Sequence, residues 1–224
     1  MKLSLYSLLM VVMWSLHPFV SNAQNMYSES LSGVPIKVKI YSDVVGNPYL
    51  SEQWLKGIVT LENGTKSGVL DLRFDQVTNT LSFKNQNGEE LNFANRVKEF
   101  TLKPFDRFTE RNFKRDFPAL KDVTPDDFFE VLEDGNAALL KYTKKTVIDS
   151  KVYASATVER NIDEKISYYL FIDGKLDKIS ATKTLPDIFK KKSDLMKSYL
   201  NENKINTKNE NQLIDLVKFY NSVK

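Results

Sequence analysis

The side chains in this sequence that could carry out chemistry are carboxylates, hydroxyls and lysines, because its 224 residues include one histidine, His17, and no cysteine. A serine or cysteine nucleophile activated by imidazole needs a histidine to accept its proton. Zinc and haem sites commonly rely on thiolate or imidazole ligands. These chemistries are therefore open to the protein only if His17 belongs to its working form.

His17 lies in a segment that has the composition of an export signal. Lys2 precedes a long apolar run, and the small residues of Ser21-Asn22-Ala23 follow it. A short basic region, an apolar region and a small-residue cleavage site are typical of a cleaved signal peptide. We therefore expect cleavage after Ala23, which removes residues 1–23 and the histidine. A retained transmembrane anchor is the alternative, since the run approaches the ~20 residues that span a bilayer.

Paired carboxylates remain available for glycoside hydrolysis, which needs two acids ~5 to 10 Å apart. Glu159, Asp163 and Glu164 lie close together, but "ERNIDEK" also carries two cations and is more typical of a solvated turn. Ser180 and Lys183 match the S-x-x-K pattern of serine enzymes with a lysine base, a pattern that residue abundance alone produces. The sequence therefore favours a protein that is not an enzyme, with a carboxylate-based hydrolase as an alternative.

Three aspartates, Asp122, Asp126 and Asp127, could supply the oxygen ligands that calcium prefers. No glycine or bidentate glutamate follows them at the spacing of a calcium loop. The stretch "TPDD" is more typical of a capped helical turn, with Thr124 accepting backbone N–H groups and Pro125 in the first position. We therefore predict no metal and no cofactor, and keep a calcium site at these aspartates as the alternative.

The aromatic residues best suited to contact a ligand are Tyr49 and Trp54, in "YLSEQWLKG", and Phe105 and Phe108, in "PFDRFTERNFKRDFP". Packing in the core is the favoured role for all four, and ligand contact is the alternative. The second stretch also resembles a stacking surface for single-stranded nucleic acid, because it interleaves phenylalanines with cations. Its acidic residues cancel most of that charge, and the formal net charge of the chain is only +3. Nucleic acid is therefore not an expected partner.

Turn signals between strand-like runs predict an antiparallel sheet. Four dipeptides favour type I′ hairpins because both central residues need a positive φ: Asn63-Gly64, Asn87-Gly88, Asp134-Gly135 and Asp173-Gly174. The predicted strands span residues 36–41, 55–61, 69–74, 81–83, 91–93, 97–102, 128–132, 137–142, 152–158, 166–172 and 175–179. Prolines interrupt the pattern at about 103–126, which predicts a long connection between two sheet halves. The sheet would form a sandwich or a partly open barrel.

After residue 179 the apolar period changes from two to 3.6, which predicts a C-terminal helical hairpin over residues 183–224. Its apolar stripes need a surface to pack on. Strands in the second sheet half carry apolar residues on both faces, as in Tyr168 to Ile172, so one of their faces needs a cover. We therefore predict an α+β fold in which the helices pack on an antiparallel β domain of residues 24–182.

Three stretches of the chain are similar to those of a known group of proteins: the signal ending "NAQ", the segment "YLSEQWLKGIVTLENG" and the ending "NENQLIDLVKFYNS". In these the chain resembles uncharacterised secreted proteins of Bacteroidota. The resemblance implies a bacterial cell-envelope location and brings no activity, ligand or catalytic residue with it.

The expected function is therefore that of an exported, non-enzymatic β-rich binding or interaction protein, secreted or periplasmic after signal cleavage. Its partner would be an envelope protein, a glycan or an apolar ligand. A periplasmic carrier of a lipid or another apolar ligand is the alternative, with aromatic side chains lining a cavity. We expect no transmembrane segment in the mature chain.

Overall fold

The computed structural model describes residues 32–36, 41–103, 110–151 and 158–223, which are mostly β. The strands are β1 (Gly33–Pro35), β2 (Val44–Val45), β3 (Leu55–Leu61), β4 (Leu70–Asp75), β5 (Thr80–Lys84), β6 (Glu90–Phe93), β7 (Val97–Lys103), β8 (Arg111–Lys114), β9 (Phe129–Glu133), β10 (Ala137–Lys151), β11 (Val158–Ile172) and β12 (Lys175–Lys178). The helices are α1 (Leu185–Ile188), α2 (Ser193–Glu202) and α3 (Glu210–Ser222), with a 3₁₀ turn at Lys190–Lys192.

The strands form one open sheet in the order β1-β6-β5-β4-β3-β7-β8-β9-β10-β11-β12, with β2 beside β11. All neighbours are antiparallel except β2 and β11, which are parallel. The structure differs from the prediction at the proline-containing connection, because β8 lies inside it and pairs with β7 and β9. Its only apolar residue is Phe113, so the alternation that marks a strand is too short to detect.

Each of the four predicted turn dipeptides lies between two antiparallel strands. Only Asp173-Gly174 has a positive φ at both residues, 50° and 76°, as a type I′ turn requires. At the other three turns only the glycine has a positive φ. These turns therefore use the glycine alone to reverse the chain.

The sheet curves strongly between β4 and β8. Three strand spacings of ~4.8 Å would put these strands about 14 Å apart in a flat sheet. The rings of Phe74 on β4 and Phe113 on β8 have centroids only 5.6 Å apart. Phe113 also stacks on Phe100 at 4.6 Å, and Phe128 closes the cluster at 4.9 Å from Phe100. Curvature thus brings the apolar faces of distant strands into one aromatic core.

The three helices cover one face of β10 and β11. Helical residues such as Met196, Leu213 and Val217 share a core with Leu139 and Leu170, all fully buried. The opposite face packs in a separate core that includes Phe129, Leu140 and Tyr169. The apolar residues on both faces of β10 and β11 are therefore buried, one face under the helices and the other in the second core.

The C-terminal helix is also tied to the sheet by hydrogen bonds. Asn221 Oδ1 accepts from the backbone N–H of Ala137 at 2.8 Å, and Asn221 Nδ2 donates to the Ala137 carbonyl at 3.0 Å. At the other end of α3, the Asn209 side chain caps the helix by accepting from the Gln212 N–H. The second helix of the predicted hairpin therefore begins at Glu210.

The strands β10 and β11 are much longer than predicted and form a two-stranded arm. Residues of "ERNIDEK", predicted as a turn, lie in β11 and pair one by one with β10. Arg160 faces Asp149 and Glu164 faces Lys145 across the pair, so opposite charges meet between the strands. The predicted strand over 152–158 falls mostly outside the described residues.

Candidate functional site

A pocket of about 520 Å³ lies between the segment of residues 41–50 and the strands β4, β5 and β6. Leu72 and Phe74 point into the core, so the alternating side chains Arg73 and Asp75 lie on the opposite face. Register then places Ser82 opposite Arg73 on β5. We call this cavity the Tyr49 pocket; its central residues are Tyr41, Tyr49, Arg73, Asp75, Ser82 and Glu90.

Arg73 lies between two aromatic rings and a carboxylate. Its Cζ atom is 4.2 Å from the ring centroid of Tyr49 and 4.5 Å from that of Trp54. Its Nε atom donates to Glu90 Oε1 at 3.2 Å, and its Nη2 atom donates to Glu90 Oε2. The Ser82 hydroxyl also donates to Glu90, at 2.7 Å. Cation–π attraction and a two-point ion pair together fix the guanidinium in one orientation.

Asp75 forms the other polar wall of the pocket. Its Oδ2 atom accepts from the Tyr41 hydroxyl at 2.7 Å, and its Oδ1 atom accepts from the backbone N–H groups of Val77 and Thr78 at 2.8 and 3.1 Å. Burial and this hydrogen bond to Asp75 raise the pKa of Tyr41. Burial raises the pKa of Tyr49 as well, although Arg73 opposes the rise. Both phenols therefore stay protonated at neutral pH.

Lys145 of the arm holds the loop that carries Tyr49. Its side chain is only 8% exposed, and its ammonium donates to the carbonyls of Asn47 at 3.0 Å and Tyr49 at 2.7 Å. Gly46 lets the same loop approach the arm, because a Cβ atom there would lie 3.1 Å from Ile162 Cβ and its φ is +106°. The pocket wall thus depends on contacts far from it in sequence.

Two of the four predicted aromatic contact residues lie at this site. Tyr49 lines the pocket and Trp54 packs on Arg73 beside it. Phe105 and Phe108 lie outside the described residues. Tyr41, Arg73, Asp75 and Glu90 were not among the predicted site residues, because each fits the polar face of an ordinary half-buried strand or a loop. The spacing of residues in the sequence did not reveal the strand register that brings these side chains together.

The three aspartates of the calcium alternative, at residues 122–127, do not converge on a common centre. Each aspartate has its own partner: Lys178 for Asp122 at 2.9 Å, Arg96 for Asp126 at 2.9 Å, and the Thr124 N–H for Asp127 at 2.7 Å. Thr124 also donates its hydroxyl to Asp127, whereas the predicted cap had Thr124 as the acceptor. Within the described ranges, no group of three or more His, Cys, Asp or Glu residues could hold a metal ion.

The other sequence patterns with catalytic potential are not gathered at a cleft. Asp163 faces Thr146 across the arm while Glu164 faces Lys145, so successive acids point to opposite faces. Ser180 and Lys183 are exposed in the segment before α1. Neither pattern contributes a residue to the Tyr49 pocket, where aromatic and charged groups converge.

A larger groove of about 570 Å³ runs over β3, β7, β8 and β9. Its charged side chains pair with one another, Lys103 with Glu110 at 2.9 Å and Lys114 with Asp134 at 2.9 Å. These pairs are 40% or more exposed on each side, so they have the character of an ordinary polar surface. The groove therefore offers fewer fixed polar groups than the Tyr49 pocket.

No protein-family model, curated protein or solved structure matches the chain. None of the helices in the described ranges is both long and apolar enough to cross a membrane.

Proposed function

We propose that this protein is an exported, non-enzymatic binding protein of the bacterial cell envelope, and that the Tyr49 pocket is its ligand site. The observation that carries the proposal is the Arg73 guanidinium, fixed between two aromatic rings and Glu90 in the wall of a cavity of about 520 Å³. Ligand sites are typically cavities of ~300 to 1,000 Å³ that combine aromatic surface with a few well-placed polar groups.

The hydrogen bonds of the pocket support binding rather than hydrolysis. A hydrolase of the two-carboxylate type needs one carboxyl group that donates a proton to the leaving group. In the Tyr49 pocket, Asp75 accepts three hydrogen bonds and Glu90 accepts from both Arg73 and Ser82. Both acids thus serve as acceptors that fix their neighbours, which is a positioning role.

The packing of the concave sheet face favours a polar ligand over a lipid. A lipid carrier needs open apolar space, but Phe74, Phe100, Phe113 and Phe128 fill this face with ring centroids 4.6–5.8 Å apart. The Tyr49 pocket instead offers aromatic surface together with hydroxyl and carboxylate groups. Of the expected partner classes, a glycan fits such a lining best, since its hydroxyls both donate and accept hydrogen bonds.

The proposal includes export with cleavage after Ala23 and a secreted or periplasmic location, for which the composition of residues 1–23 is the support. It also includes a partly open barrel between β4 and β8, supported by the contact of Phe74 with Phe113. The C-terminal helices would then act as a hairpin that closes the outer face of β10 and β11.

Native mass spectrometry of protein purified gently from its own cell envelope tests the ligand site. We expect retained ligand mass in the natural protein, its loss in Arg73→Met and Tyr49→Ala, and its persistence in Lys114→Met. Lys114 is a matched control because it pairs with Asp134 in the groove over β3, β7, β8 and β9, and neither residue lines the Tyr49 pocket. A clean apo mass for the natural protein, or a ligand that survives both pocket variants while they stay folded, would overturn the proposal.

A further inference from the structure

The Tyr49 pocket adjoins a second cavity of about 230 Å³. Thr80 on β5 and Asn92 on β6 line both cavities, so the two lie side by side across this strand pair. The second cavity is lined by four neutral polar residues, four apolar residues and two arginines, Arg96 and Arg115. A ligand longer than one unit could therefore extend from the first cavity into the second.

Arg115 is the one arginine in the described chain that has no ion pair. The other four are each bound to a carboxylate: Arg73 to Glu90, Arg96 to Asp116, Arg111 to Glu130 and Arg160 to Asp43. The guanidinium of Arg115 lies 3.7 Å from the ring centroid of Phe128, and its Nε atom is buried without a hydrogen-bond partner. A guanidinium that is partly desolvated and unpaired is unfavourable unless something compensates its charge.

The acidic residues near Arg115 are engaged elsewhere. Asp116 and Asp126 both accept from Arg96, at 2.6 and 2.9 Å. Asp127 accepts from the Thr124 N–H at 2.7 Å and from the Tyr142 hydroxyl at 2.9 Å. Burial, followed by repulsion from Arg96, lowers the pKa of Arg115. The protein therefore leaves this cation without an acceptor of its own, although acids surround it.

We propose that the ligand is a linear acidic oligosaccharide, with one sugar unit in the Tyr49 pocket, the chain crossing Thr80 and Asn92, and a carboxylate bound to Arg115. This inference rests on the proposed function. The C–H face of a sugar ring packs on aromatic surface while its hydroxyls bond to carboxylate, amide and hydroxyl side chains. A carboxylate matches the planar donor fork of arginine and supplies the missing charge.

Calorimetric titration with defined oligomers tests both parts of this inference. The probes are oligomers of two to six units from polygalacturonate, alginate and hyaluronan, each with a carboxyl-reduced neutral counterpart. For at least one acidic series we expect affinity to rise tenfold or more from two to four units, and to fall tenfold or more on carboxyl reduction. Arg115→Met should reduce the affinity for the acidic tetramer to that of the neutral one.

Lys98→Met is the matched control, because Lys98 is an exposed cation next to Arg115. Its backbone carbonyl accepts a hydrogen bond from the backbone N–H of Arg115. Lys98→Met should bind the acidic tetramer as the natural protein does. Melting curves establish that the variants are folded. Equal affinity for acidic and neutral oligomers would overturn the carboxylate assignment, and equal affinity for two and six units would overturn the second subsite. If no series binds, the acidic oligosaccharide is excluded, while ligand mass retained from the envelope would still support the Tyr49 pocket.

Discussion

Replacing Lys145 by methionine removes the group that fixes the Tyr49 loop to the arm. The ammonium donates at 3.0 and 2.7 Å to two carbonyls, and the side chain is 8% exposed. Leaving a buried carbonyl without a donor costs ~1 to 3 kcal/mol, but methionine also avoids the cost of desolvating a charge. The loss of two hydrogen bonds outweighs the avoided desolvation cost, so we expect Lys145→Met to lower the free energy of unfolding by about 2 to 3 kcal/mol.

Lys144→Met provides the control on the same strand. Lys144 is exposed on the opposite face of the arm, and changes at such sites usually alter the free energy of unfolding by less than ~0.5 kcal/mol. Urea unfolding followed by circular dichroism compares the two variants through their midpoints at a common slope. If Lys145→Met unfolds within 0.5 kcal/mol of Lys144→Met, taken as about the error of the method, the loop is not held by this lysine.

Three further outcomes are expected. Burial and Glu210 raise the pKa of the Tyr168 hydroxyl to about 12, above the value near 10 of an unfolded chain. The stabilisation from the protonated hydroxyl is therefore fully present below pH 10 and is lost as the pH rises towards 12. Tyr168→Phe should reduce this loss of unfolding free energy, measured by urea unfolding across that range. Glu130→Gln, which leaves Arg111 unpaired in a largely buried site, should cost ~3 to 5 kcal/mol in the same assay. A chain ending at Thr182 should bind the dye ANS strongly, whereas a cooperative melt at the full-length temperature would contradict the packing of the helices on the sheet.

Short-range signals predicted much of the fold. The strand over residues 55–61 has the predicted bounds, and its buried positions alternate with exposed or half-buried ones along its whole length. The helical stripes were also recognisable, since Met196 and Leu200 lie one turn apart on α2, Leu213 and Val217 lie one turn apart on α3, and all share the core with β10 and β11. These features depend only on neighbouring residues, which is the information that periodicity contains.

Features that depend on distant partners were not predictable in the same way. The strand β8 has one apolar residue and is stabilised by backbone bonds to β7 and β9. The long arm carries charges that look solvated until the opposite strand supplies their partners. The pocket unites Tyr49, Arg73 and Glu90 through register and one buried lysine, so its geometry requires the assembled sheet. Export, the ligand and the family resemblance stay predictions.

The two outermost strands of the sheet order bear on how the protein behaves at high concentration. An outer strand exposes unpaired N–H and C=O groups, on which another chain can add and begin aggregation. Here β1 has three residues and ends at Pro35, which has no N–H to donate, and β12 has four residues of which Lys175, Asp177 and Lys178 are charged. Short length, proline and charge each disfavour the addition of another strand at these two ends of the sheet.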